Sequence, residues 1–63
     1  MAPDWRRALE HYVGNSACIV WDDGTSEVLT IVSVDDEGFV YELIPPDKTL
    51  YYWNRFEEVE SVK

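Results

Sequence analysis

Three clusters of turn-forming residues limit what this chain can fold into. They are Asp23-Gly24, Asp35-Asp36-Glu37-Gly38 and Pro45-Pro46-Asp47-Lys48, and they cut everything after Gly14 into short apolar runs. Asp-Gly between such runs is a strong hairpin signal, and neither proline can donate to a strand ladder. The runs themselves alternate at period two and are rich in β-branched and aromatic residues, which predicts strands. "SACIVWD", "SEVLTIVSV", "FVYELI", "TLYYW" and "VESVK" are the five expected strands, with "NRFEE" as a single helical turn before the last. The second is apolar on both faces: Val28, Thr30, Val32 and Val34 on one, Leu29 and Ile31 on the other. That pattern predicts a sharp bend, so that each end buries a different side. Five short strands with tight turns predict a small antiparallel barrel, because closure removes edges that a flat sheet would expose.

Before Gly14 the period is helical. Trp5, Ala8, Leu9, Tyr12 and Val13 form one apolar stripe, with Asp4 as N-cap, Pro3 at the entrance and Gly14 as the left-handed residue after the end. The spacing predicts a helix over about 4–13 that lids one end of a core formed by about 16–63. The 63 residues thus make a single domain, 1–63. A chain this short buries only about 60% of the surface its unfolded form exposes. Three Trp, four Tyr and two Phe supply large apolar area in compensation.

The lone Cys18 rules out an internal disulfide, and "MAPDWRRALEHYV" has neither the apolar run of a signal peptide nor that of a membrane span. A cytoplasmic setting with no membrane partner is the expectation. The net charge is −8, and no Lys or Arg lies between Arg7 and Lys48, an interval with nine acids. Nucleic-acid affinity comes largely from cationic contacts to phosphate, so no nucleic-acid partner is expected. Net charge of this size also keeps a small aromatic-rich protein in solution.

A helix followed by "YVGNSACIVWDDGTSEVLTIVSVDDEGFVYEL" and "LYYWNRFEEVESVK" resembles the Sm-like and SH3-like small barrels of bacterial proteins. The likeness rests on Gly14 before strand one, the Asp23-Gly24 turn, Val34-Asp35 closing a long strand two, and Gly38. It extends to Phe56 with Val59 and Val62 around the last turn, and so covers about residues 5–63. It implies a mainly β fold: a five-stranded antiparallel SH3-like (Sm-like) small barrel with a short N-terminal α-helix. The RNA-binding signatures of Sm-like proteins do not carry over. "DDEGF" stands at the first of them and Trp53-Asn54-Arg55-Phe56 at the second, where only Arg55 is cationic. The bend of strand two lacks the expected small glycine near Leu29 or Thr30, and the acidic-aromatic run of proline-binding SH3 domains is missing.

No chemistry-bearing constellation emerges. Asp35, Asp36 and Glu37 fit a turn better than a calcium loop, which needs alternating ligands and a distant bidentate Glu; Gly38 is expected to supply a positive φ there. His11 and Cys18 stand alone, short of a zinc set or a nucleophilic pair, with Cys18 read as a small buried residue. Paired carboxylates such as Glu57-Glu58 and Asp22-Asp23 read as a solvated face, because a barrel of this size encloses no pocket. Neither an enzyme, nor a cofactor, nor a metal, nor a small-molecule substrate is expected. The remaining feature is Tyr51-Tyr52-Trp53. If Tyr52 joins Leu50 in the core, Tyr51 and Trp53 face outward with Arg55 beside them; otherwise the helix or a bent strand covers the rings. The outward arrangement makes Tyr51, Trp53 and Arg55 the candidate contact residues of a non-enzymatic module. Its partner would be another protein, or a second copy in a homo-oligomer. The alternative is a nucleic-acid mimic that inhibits a basic DNA- or RNA-binding protein.

Overall fold

The computed structural model of the protein describes residues 4–44 and 50–63. A six-residue helix, α1 (Trp5–Glu10), precedes β1 (Ser16–Trp21), β2 (Ser26–Val34), β3 (Gly38–Leu43) and β4 (Tyr52–Arg55). A 3-10 turn, Phe56–Glu58, then leads into β5 (Val59–Val62). The strands form one antiparallel sheet in the order β4-β3-β2-β1-β5. The expected mainly β fold with five antiparallel strands and an N-terminal helix is therefore what the chain adopts. The turn expected at Pro46-Asp47 lies outside the described residues. Among the described residues, no helix is long and apolar enough to cross a membrane.

The helix is shorter than the stripe suggested. Asp4 caps it as expected, accepting the Arg7 N–H at 3.3 Å, but α1 ends at Glu10 rather than near residue 13. Tertiary pairing overrides the helical period there: Val13 forms a parallel bridge with Ile31, and the Gly14 N–H donates to the Ile31 carbonyl at 2.8 Å. Gly14, at φ +84°, has the left-handed conformation anticipated for it. Val13 is exposed, so the working stripe is Leu9, fully buried, flanked by half-buried Trp5 and Tyr12. The Trp5 indole also donates to the Val59 carbonyl at 3.1 Å, which ties the helix to β5. A helix this short is held by such packing, not by its own propensity.

Leu9, Ala17, Ile19, Trp21, Leu29, Ile31, Phe39, Tyr41 and Val59 make the core. Trp21 is buried and stacks on Phe39 with centroids 6.1 Å apart, while Phe39 stacks on Phe56 at the same distance. The bend anticipated in β2 is a bulge between Ile31 and Ser33. Leu29 and Ile31 face the core before it; Val32 is left over and exposed, and Val34 pairs with Phe39 and packs on the core beyond it. The bulge lets one strand bury residues of both sequence faces.

Hydrogen bonding does not run from β4 to β5, which occupy the two edges of the sheet. The 3-10 turn spans the gap instead. At its start the Phe56 N–H donates to the Glu37 carbonyl at 3.0 Å, and at its end the Glu58 carbonyl accepts the Asp22 N–H at 2.9 Å. The chain had been expected to start this turn at Asn54. Asn54 and Arg55 belong to β4 because Asn54 pairs with Phe39 and Arg55 with Gly38.

A candidate interaction surface on the edge strand

Alternation along β4 sorts its side chains. Tyr52 and Asn54 sit opposite Tyr41 and Phe39, on the core side, whereas Trp53 sits opposite Val40 and Arg55 opposite Gly38, on the outer side. Tyr51 is 62% exposed and Trp53 44%, so the helix does not cover these rings, and the outward arrangement is the one adopted. Leu50 and Tyr52, which were expected to join the core, are 46% and 37% exposed instead. Tyr52 is anchored all the same, stacking on Tyr41 with centroids 5.7 Å apart.

Beneath this strand runs a chain of hydrogen bonds. The Tyr41 hydroxyl donates to Asn54 Oδ1 at 2.6 Å, and Asn54 Nδ2 donates to Glu58 Oε2 at 2.8 Å. The same carboxylate oxygen accepts the Arg55 N–H at 3.0 Å. Those two donors, the amide first, hold the Glu58 carboxyl below its ordinary pKa. Tyr41 moves the other way: burial raises its pKa, helped by the negative charges of Glu27 and Glu58. The network fixes the strand-to-turn corner, so Arg55 projects from a rigid support. Glu58 caps the start of the 3-10 turn in this way although Arg55 is not one of the Ser, Thr, Asp or Asn residues that mark such a start in a sequence.

Trp53 is held from two directions. Its indole Nε1 donates to Asp35 Oδ2 at 2.8 Å, while its ring lies over Gly38. A Cβ on Gly38 would come within 2.7 Å of the Trp53 ring and would run into the Asn54 carbonyl oxygen. Gly38 therefore does not serve the positive φ expected of it; positive φ occurs only at Gly14 and Gly24 among the described residues. Its role is to let β4 approach. Asp35 Oδ1 meanwhile accepts the N–H groups of Glu37 and Gly38, both at 2.7 Å. The Glu37 N–H, the Trp53 indole and the Gly38 N–H, in that order, hold the Asp35 carboxyl below the usual range. The acidic stretch is thus a hairpin turn, and its first aspartate doubles as the anchor of Trp53.

Arg55 is exposed and forms an ion pair with Glu57 at 3.6 Å. Asp36, the next acid of the β2–β3 turn, pairs with Arg6 at 2.6 Å, and Arg6 also reaches Glu10 at 3.3 Å. His11 is the exposed C-cap of α1. Cys18 is half-buried on β1 rather than in the core, because alternation sends Ala17 and Ile19 inward and Cys18 to the outer face. No protein-family model, no curated protein and no solved structure matches this chain.

Proposed function

We propose that this protein is a non-enzymatic interaction module that presents Tyr51, Trp53 and Arg55 to a protein partner. One observation carries the reading: Trp53 on a short edge strand and Tyr51 just before it stand exposed, and the underside of that strand is pinned by the Tyr41–Asn54–Glu58 network. Rigid aromatics of this kind give large contact area at low entropic cost, which is why Trp and Tyr dominate binding hot spots. A sheet order of β4-β3-β2-β1-β5, with a 3-10 turn joining the outer strands, supports the SH3-like or Sm-like barrel as the underlying architecture. Mimicry of nucleic acid has weaker support, because Asp35, Asp36, Glu57 and Glu58 are all engaged by donors within the chain. The test compares wild type with Tyr51→Ala as bait in quantitative affinity capture from the native host. Loss of a captured protein with unchanged stability is the expected result; identical capture by both baits would refute the assignment.

A further inference from the structure

We propose that the outer edge of β4 receives an extended, basic segment of a partner protein as an added strand. The proposal rests on the reading above and narrows its partner by chemistry. The Phe56 N–H donates to the Glu37 carbonyl one step beyond the Arg55–Gly38 pair, and hydrogen-bonded pairs alternate along an antiparallel ladder, so the backbones of Asn54 and Tyr52 face β3. Because N–H and C=O of one residue point to the same side of a strand, the backbone of Trp53 faces away from β3. Among the described residues no strand flanks β4 on that side. Arg55, the next outward-facing donor, is already satisfied by Glu58 at 3.0 Å. Among the described residues the edge is therefore open at Trp53 and closed one step later, a short window that suits strand addition better than a long self-pairing ladder.

Charge decides what kind of segment fits. The carboxylate of Asp35 lies 2.8 Å from the Trp53 indole nitrogen, Glu58 caps the same strand, and Glu57 pairs with Arg55, the cation of this strand. Among the described residues these three acids and Asp36 stand against Arg55 and Arg6, which leaves this edge negative, within a chain of net charge −8. A second copy would bring the same acids, or Glu58 and Glu60 beside its own β5 edge, against them. Like-charge juxtaposition of this sort penalises the wrong partner. Lysine or arginine at alternate positions of an incoming strand would instead lie in the field of these carboxylates, whose charge persists though their oxygens are engaged, and against the faces of Tyr51 and Trp53, which attract cations.

The experiment follows backbone amide resonances of the full chain during titration with synthetic peptides. One peptide alternates lysine and valine, a second alternates glutamate and valine, and a third is the lysine peptide N-methylated along its pairing edge. The lysine peptide should shift the amides of residues 51–55 first and should bind at least about tenfold more tightly than the glutamate peptide. N-methylation removes hydrogen bonds but no charge, and should weaken binding about tenfold. Glu57→Lys, at a site whose side chain is 76% exposed, should weaken the lysine peptide several-fold. Equal binding of both charge types at residues 51–55 would overturn the basic-partner proposal while leaving β4 as an interaction surface. Undiminished binding of the N-methylated peptide would overturn strand addition. Failure of every peptide to move these amides would overturn the proposal too. The reading beneath it falls only if Tyr51→Ala also leaves capture unchanged.

Discussion

In the turn between β1 and β2, Asp23 Oδ1 accepts the Thr25 N–H at 2.9 Å and the Thr25 hydroxyl at 2.6 Å, and Gly24 takes φ +91°. In the turn between β2 and β3, Asp35 Oδ1 accepts two N–H groups in the same fashion, yet its other oxygen reaches Trp53, and Gly38 needs no unusual φ. Both are aspartate-led turns containing a glycine. The first is a local device: its carboxylate and its glycine serve residues 21–25 alone. The second is a tertiary one, because its carboxylate and its glycine both serve β4. A turn motif in a sequence thus shows where the chain reverses but not what the turn supports.

Substitution should separate the two turns. The largest effect is expected at Gly38→Ala. An added Cβ meets backbone and a wedged indole, so β4 must shift, at a cost of about 3 kcal/mol in chemical denaturation. A loss below about 1 kcal/mol there would mean that β4 is loosely held. Trp53→Ala comes next, with about 2 kcal/mol for the lost indole hydrogen bond and the contact with Gly38. That is less than a fully buried tryptophan would give, since the ring is 44% exposed. Gly24→Ala meets open space, and only its positive φ is strained; about 1 kcal/mol is expected.

The carboxylates sharpen the contrast further. Hydrogen bonds from Thr25, side chain before backbone, hold Asp23 below its ordinary pKa, as the turn and the indole hold Asp35. A carboxyl whose folded pKa is depressed contributes stability above its unfolded value, about 3.9, and loses it as pH falls through the folded value. Below about pH 4, therefore, both turns should weaken, but only the Asp35 titration should appear in the indole N–H resonance of Trp53. Asp35→Asn should move that resonance at neutral pH, because an amide nitrogen facing the indole is a donor against a donor. Asp23→Asn should leave it in place. If both variants move it equally, the division between local and tertiary turns is wrong. Tyr51→Ala should give the smallest stability change, within about 0.5 kcal/mol, since the ring is 62% exposed. That makes it a cleaner probe of binding than Trp53→Ala.

The strand runs of β1, β2 and β3, the bend in β2 and the turn at Asp23-Gly24 were legible because each depends on neighbours in sequence: period-two apolar spacing, β-branching and local carboxylate caps. The start of α1 at Asp4 was legible for the same reason. Its end was not, because a bridge from Val13 to Ile31 outweighs one more helical turn. The outward placement of Tyr51 and Trp53 followed from alternation once β4 was assumed, but exposure itself depended on where α1 packs, which no local pattern states. Asp35 as the partner of Trp53 and Gly38 as its seat were decided by tertiary structure alone. They join residues 18 positions apart, Asp35 and Trp53, through a pairing of β3 with β4 whose register places Gly38 against Arg55. Sequence periodicity reports which face a residue occupies on its own strand. It carries no information on which side chain the neighbouring strand lays across that face, because register is fixed only when the strands meet.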